Sequence, residues 1–196
     1  KGETSAEVAG VVEALRSAMV VLPTSDPDSL VDTCGTGGGS LTTFNISTAA
    51  ALVAAGLGVR VAKHGNRSFT SRSGSADVLE ALGVVIDMSA DAMARTLEQA
   101  GIVFMFAPLM HPALRHVGPV RRELGVPTVM NIVGPLANPA RAGRQVVGVA
   151  ESSRLILLAE ALAALGSQRA LVVHGAPGLD EVSPLGTTDV VEVHRG

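Results

Sequence analysis

The sequence predicts an α/β domain built on a largely parallel central sheet flanked by helices. Three observations carry this expectation. Short β-branched runs alternate with longer helical stretches, each helical stretch stops at a glycine, and the strand-like runs are apolar at consecutive positions. Alternation of that kind defines βαβ units, and strands covered on both faces lose the alternating polar pattern of half-exposed ones. The strand-like runs are 59–62, 84–86, 102–106, 145–149, 170–173 and 190–193. The helical stretches are 47–57, 75–82, 89–100 and 152–165, ending against Gly58, Gly83, Gly101 and Gly166 as left-handed C-caps. Ser47, Ser75, Ser89 and Ser152 stand at their starts as N-caps.

Ahead of these units, residues 4–20 read as a helix. Thr4 with Glu7 makes a capping-box signature, and Val8, Val11, Val12 and Leu15 form an apolar stripe. Pro23, Pro27 and the polar residues between them then break all periodicity. The expected division is residues 1–22 as part of a small helical domain, 23–29 as a hinge, and 30–196 as the α/β domain. The chain lacks an initial methionine and no closing helix follows 190–193, so it reads as a central segment with an incomplete sheet.

Composition excludes several classes. Apolar residues make up 47% and charged residues 17%, which rules against disorder. No apolar run approaches the length of a membrane span, and no hydrophobic leader begins the chain. Cys34 is the single cysteine, which excludes an internal disulfide or a cysteine zinc cage and suits a reducing cytoplasm. A net charge of −3, with no Trp or Tyr and four Phe, argues against a nucleic-acid platform.

Five blocks carry polar chemistry. In the first, a strand runs into Gly35, Gly37, Gly38 and Gly39, followed by Thr43, Asn45, Ile46, Ser47 and Thr48 at a helix start. Glycines let backbone N–H groups approach an anion, and a helix start adds unpaired donors. Spacing excludes a Walker loop. Taken alone, the block does not separate an anion cradle from a ligand-free turn. The second block follows the next strand: Lys63, His64, Gly65, Asn66, Arg67, Ser71, Arg72, Ser73 and Ser75. Loops at the carboxyl ends of neighbouring parallel strands share one crevice, so the two blocks together point to a polyphosphate. The third block holds His111 and the run Arg121, Arg122, Glu123. Arginine suits a planar carboxylate, although spacing alone favours a packing histidine and a solvated helix face. The fourth spans Asn131, Gly134, Pro135, Asn138 and Pro139. The fifth is a loop after a strand, with His174 and the adjacent Asp180 and Glu181. Paired carboxylates beside phosphate suit magnesium, while an isolated Asp-Glu pair is ordinarily solvated and His174 reads as structural.

Together these blocks resemble the anthranilate phosphoribosyltransferase family along essentially the whole chain. Gly35-Thr36-Gly37-Gly38 with Asn45-Ile46-Ser47-Thr48 is similar to the family's phosphate loop. Lys63-His64-Gly65-Asn66-Arg67, Ser73-Gly74-Ser75-Ala76-Asp77, His111-Pro112, Arg121-Arg122-Glu123, Gly134-Pro135-Leu136, Asn138-Pro139 and Gly178-Leu179-Asp180-Glu181 match in order. The resemblance implies a nucleoside phosphorylase/phosphoribosyltransferase-like fold joined to a helical, dimerising domain, in a cytoplasmic homodimer. It implies transfer of phosphoribosyl from phosphoribosyl diphosphate to the amine of anthranilate.

By that resemblance, Gly35, Gly38, Gly39, Thr43, Asn45, Ile46, Ser47, Thr48, Lys63, His64, Gly65, Asn66, Arg67, Ser71 and Ser75 hold phosphoribosyl diphosphate. Asn66 and Arg121 hold anthranilate, with His111 and Pro135 lining its channel, and Lys63, Asn66 and Arg121 take the catalytic roles. Ser47, Asp180 and Glu181 bind two magnesium ions. Two positions depart from the pattern: Gly39 stands where the family has Asp, and Ser40 where it has Gly. Loss of that carboxylate implies weaker or altered magnesium dependence. The competing expectations are a nucleoside phosphorylase of the same architecture, a non-catalytic nucleic-acid-binding relative, and an inactive fragment.

Overall fold

A computed structural model of the chain describes residues 2–39, 41, 43–68 and 73–195. The expected Ser71 position, with Ser40 and Arg72, lies outside the described residues. Six strands form one sheet: β1 (Val31–Gly35), β2 (Val61–Gly65), β3 (Ile102–Phe106), β4 (Arg144–Gly148), β5 (Arg169–Gly175) and β6 (Thr188–His194). Their order is β3-β2-β1-β4-β5-β6. All neighbours are parallel except β6, which runs antiparallel to β5. β1 is therefore the origin from which the chain winds first one way and then the other.

Helices α1 (Ser5–Ala18), α2 (Ile46–Gly56), α3 (Ser75–Ala81), α4 (Ala90–Ala100), α5 (Ala107–Met110), α6 (Leu114–Leu124) and α7 (Leu155–Ala164) connect or cover these strands. The Thr4–Glu7 capping box is formed, with Glu7 N–H donating to Thr4 Oγ1 at 3.2 Å and Thr4 N–H to Glu7 Oε2 at 2.9 Å. Val8 and Val12 of α1 are fully buried in one cluster with Leu158 and Leu162 of α7, Val147 of β4 and Val172 of β5. A second cluster joins Met93 and Leu97 of α4 to Ala62, Val103 and Met105. A third sets Leu79 of α3 against Phe104. Residue 22 is anchored rather than loose: Leu22 is buried, and its N–H donates to Pro139 O at 3.0 Å.

Two local expectations need correction. Residues 84–86 form no strand. Val84 N–H turns back onto Leu79 O at 2.9 Å rather than joining the sheet. Val84 and Val85 stay exposed while Ile86 alone enters the third cluster. Of the four serines expected as N-caps, only Ser89 caps, accepting from Ala92 N–H. Ser47 lies inside α2, whose N-cap is Asn45; Gly74 takes that place on α3; and a 3-10 turn at Ser152–Arg154 precedes α7. The glycine stops hold, with φ of +88°, +81°, +71° and +79° at Gly58, Gly83, Gly101 and Gly166.

Burial decides which leucines stabilise the domain. Leu158 is 0% exposed within the first cluster, whereas Leu57, just after α2, is 81% exposed. Leu158→Ala is expected to lower unfolding free energy by about 2–5 kcal/mol. Leu57→Ser should change it by less than about 0.5 kcal/mol. Urea denaturation of the two variants against wild type measures both.

Candidate functional site

Four of the parallel strands end in glycine, at Gly35, Gly65, Gly148 and Gly175. Their missing side chains determine what lies on the carboxyl edge of the sheet. After β5 the chain turns tightly, with Gly178 N–H and Leu179 N–H donating to Gly175 O at 2.9 and 2.7 Å. It then runs back over β4 and β1. A Cβ at Gly148 would overlap the Asp180 carbonyl, and one at Gly35 would stand 2.5 Å from Asp180 Oδ2. Larger residues at either strand end would push the Asp180–Glu181 loop off the sheet.

Backbone donors fix both carboxylates of this loop. Gly37 N–H donates to Asp180 Oδ2 at 2.8 Å, and Ser47 N–H donates to Glu181 Oε1 at 3.1 Å. Gly37 and Gly38 have φ of +70° and +83°, a left-handed conformation natural only to glycine. The glycine loop and the first turn of α2 thus face the Asp-Glu pair directly. Gly39 joins them: a Cβ there would lie 3.1 Å from Gly178 O and 3.2 Å from Asp180 Oδ1. Thr43 is exposed ahead of α2, and Ile46 opens the helix. Thr48 is 4% exposed, and its Oγ1 has no hydrogen-bond partner among the described residues.

Lys63 reaches this cluster from β2. Its Nζ donates to Thr33 O and, at 3.2 Å, to Ser47 Oγ. Only Lys1 and Lys63 are lysines; every other cationic side chain apart from histidine is arginine. Burial lowers the Lys63 pKa, and Asp32, Cys34 and Glu181 oppose that shift.

The loop after β2 is tied at both ends. Asp77 Oδ2 accepts from Ser68 N–H at 3.1 Å and Gly74 N–H at 2.8 Å. Asn45 Nδ2 donates to Ser73 O at 3.0 Å, joining this loop to the glycine loop. Ser75 Oγ donates to Asn66 O at 3.3 Å and packs against Gly65, where a Cβ would collide with it. Arg67 is committed elsewhere. It pairs with Glu80 at 2.7 and 3.1 Å and with Asp77 at 3.1 Å, and its guanidinium lies 5.6 Å from the Phe106 ring centre.

His64 and His111 form a buried pair with ring centres 5.0 Å apart. Burial, then the neighbouring His111, lowers the His64 pKa to about 3, with the Gly134 backbone opposing. Burial lowers that of His111 as well, with the Ala137 backbone opposing. Both rings are therefore neutral at physiological pH and act as polar surfaces rather than charges. Pro135 is buried beside Cys34, whose Sγ lies 3.7 Å from Pro135 O. Arg121, in α6, is partly exposed and makes no ion pair among the described residues, so no contact ties it to the cluster. His174 Nδ1 lies 2.9 Å from Val149 O, a structural contact.

Asp32 stands at the head of the glycine block, where its spacing indicates no role. It is 0% exposed, with Oδ1 accepting from His64 N–H at 3.1 Å and Oδ2 from Asn138 Nδ2 at 2.7 Å. Burial raises its pKa, and Lys63, Asn138 and His64 N–H pull it back. A charged residue inside an otherwise apolar strand was the signal available.

The donor set fits magnesium. Among the described residues no group of three or more His, Cys, Asp or Glu side chains converges. The donors are instead two carboxylates beside the Ser47 hydroxyl, which suits a hard cation that keeps waters and shares phosphate oxygens. Burial and the adjacent Asp180 raise the Glu181 pKa to about 7, the strain on a carboxylate that a divalent cation relieves. A surface recess of about 460 Å³ lies elsewhere, between Glu3, Glu7 and Val11 of the amino terminus and residues 127–129. It holds none of these groups, so chemistry rather than volume locates the site.

Fold and site together define an α/β domain that gathers backbone anion donors, one lysine and two carboxylates at the carboxyl edge of a parallel sheet. Residues 27–196 match the glycosyl transferase family, a/b domain, and the chain belongs to that family. It is 56% identical over 196 residues to an anthranilate phosphoribosyltransferase of Herpetosiphon aurantiacus, covering 100% of this chain and 57% of the relative. The crystal structure of anthranilate phosphoribosyltransferase from Thermus thermophilus superposes with a TM-score of 0.93 at 50% identity, covering 100% of this chain and 58% of that one. The Saccharomyces cerevisiae enzyme in complex with PRPP and Mg gives 0.87 at 32% identity, covering 97% and 55%. The same yeast enzyme with 4-fluoroanthranilate gives 0.83 at 31%, covering 97% and 52%. The chain thus spans little more than half the length of these relatives.

The raised Glu181 pKa fixes the sign of a stability effect in magnesium-free buffer. The folded state holds this proton more tightly than the unfolded one, so the contribution is fully present below about pH 4.5 and is lost as pH rises towards 7. Glu181→Gln should therefore melt higher than wild type at pH 8, with the gain shrinking towards pH 4.5. Thermal melts across that range check it; a gain independent of pH would point away from the carboxylate's charge.

Proposed function

We propose that this chain carries the phosphoribosyl diphosphate site of an anthranilate phosphoribosyltransferase, in which the ribose carbon of phosphoribosyl diphosphate is transferred to the amine of anthranilate and diphosphate leaves. One observation carries the reading. Asp180 and Glu181 are held by N–H groups of the glycine loop and of the α2 start, beside the Lys63 ammonium. The names of the relatives and the PRPP- and Mg-bound yeast structure support it.

Gly35, Gly38, Gly39, Thr43, Asn45, Ile46, Ser47, Thr48, Lys63, Gly65, Asn66, Arg67, Ser71 and Ser75 hold phosphoribosyl diphosphate in this reading. Lys63 and the α2 N–H groups stabilise charge on the departing diphosphate through preorganised electrostatics. Ser47, Asp180 and Glu181 hold two magnesium ions, which when bound supply Lewis-acid stabilisation of that leaving group. Asn66 and Arg121 orient anthranilate, its amine already neutral, along a channel lined by His64, His111 and Pro135. The neutral His64–His111 pair suits a surface for an uncharged ring better than a charged acid. Residues 1–22 belong to a helical dimerisation domain of a longer cytoplasmic homodimer, with 23–29 as its hinge and 30–196 as the α/β domain.

The decisive assay follows the fluorescence of anthranilate with phosphoribosyl diphosphate and magnesium. Loss of signal requiring all three components is expected, and Asp180→Asn should slow it by about 100-fold or more. Signal loss without magnesium, or unchanged in Asp180→Asn, would contradict the site. Gly39→Asp adds a carboxylate against Asp180, so the magnesium titration midpoint should shift; an unchanged midpoint would remove position 39 from the metal environment.

A further inference from the structure

The seam between β1 and β2 differs from its neighbours. β1 pairs with β4, and β2 with β3, over five residues each. Between β1 and β2 the register is set at Val31↔Val61, near the strand starts. Towards the carboxyl ends, two charged side chains stitch the strands instead. Lys63 Nζ donates to the carbonyl of Thr33, the residue after Asp32. In return, Asp32 Oδ1 accepts from the N–H of His64, the residue after Lys63. Asn138 braces the stitch, its Nδ2 donating to Asp32 Oδ2 at 2.7 Å and Ala62 O at 2.9 Å. Its Oδ1 accepts from Ala140 N–H at 2.8 Å.

Asp32, Lys63 and Asn138 are 0%, 3% and 1% exposed. Two buried charges are a poor device for stability alone, since apolar replacements of similar volume are often neutral or better. Asp32 and Lys63 form no direct ion pair among the described residues; the link between them runs through the reciprocal bonds to Thr33 O and His64 N–H, and Lys63 alone continues to the start of α2. Among the described residues Asp32 makes no hydrogen bond to the glycine loop or the Asp180–Glu181 loop, whereas Lys63 touches Ser47.

We propose that Asp32 is a positioning residue for Lys63: its carboxylate, fixed between His64 and Asn138, is the buried counter-charge that holds the Lys63 ammonium at the start of α2. The inference rests on the phosphoribosyl diphosphate reading of that site. Asp32 acts only through Lys63, so the two residues should behave as one unit towards an anionic ligand. A residue needed only for folding would lower stability and affect binding independently of Lys63.

Calorimetric binding of phosphoribosyl diphosphate with magnesium to the 196-residue chain distinguishes these. Asp32→Asn and Lys63→Gln should each weaken binding by about tenfold or more, and the double variant should be within about twofold of Lys63→Gln alone. Losses that multiply would overturn the proposal. If Asp32→Asn does not fold, the exchange Asp32→Asn with Asn138→Asp returns a carboxylate to the same buried hydrogen bond. Its binding should lie within about threefold of wild type. Binding as weak as Lys63→Gln would overturn the proposal. Wild-type chain that fails to bind the probe would overturn the site reading itself, a result distinct from binding with independent variants.

Discussion

Backbone N–H groups from two separate elements grip the adjacent carboxylates of Asp180 and Glu181, and the rest of the site depends on that grip. Gly37 belongs to the loop leaving β1, and Ser47 to the first turn of α2. The loop that bears the carboxylates follows β5, two strands away from β1 in the sheet. It reaches them because Gly148 and Gly35 present no side chain where Asp180 must lie. Steric absence at strand ends thus sets the position of the charges, and N–H donors set their orientation. Burial and the adjacent Asp180 raise the Glu181 pKa against the pull of the Ser47 N–H, a cost that a cation would relieve.

The remaining polar groups divide by charge. Burial lowers the Lys63 pKa while Asp32 and Glu181 oppose that shift, and its ammonium is placed against Ser47. Burial, and for His64 the neighbouring His111 ring, lowers the pKa of both histidines, which are neutral. A charged half facing α2 and an uncharged half facing the Gly134–Leu136 turn result from the same burial acting on different neighbours. The two halves suit a polyphosphate and an uncharged ring respectively.

Much of this could be read from the sequence because glycine has few alternative uses. The stops at Gly58, Gly83, Gly101 and Gly166 fall where the helices end, and the glycine loop and Asp-Glu loop do meet. Residues 84–86 misled because β-branched residues mark apolar segments whether or not they pair, and here Val84 N–H is taken by Leu79 O. Ser47 and Ser75 misled because a hydroxyl near a helix start serves equally as a cap or as a site group. Arg67 also pairs with Asp77 and Glu80, a long-range outcome that local spacing does not encode. Asp32 escaped notice because its partners, His64 and Asn138, are 32 and 106 residues away.

A crystal structure of this chain grown with magnesium and phosphoribosyl diphosphate tests the central claim most directly. The diphosphate is expected at the start of α2, between the Ser47 hydroxyl and the Asp180–Glu181 carboxylates, with magnesium held by those carboxylates. Diphosphate bound away from Asp180 and Glu181, or magnesium held by other residues, would contradict the placement of the site at the glycine-ended edge of the sheet.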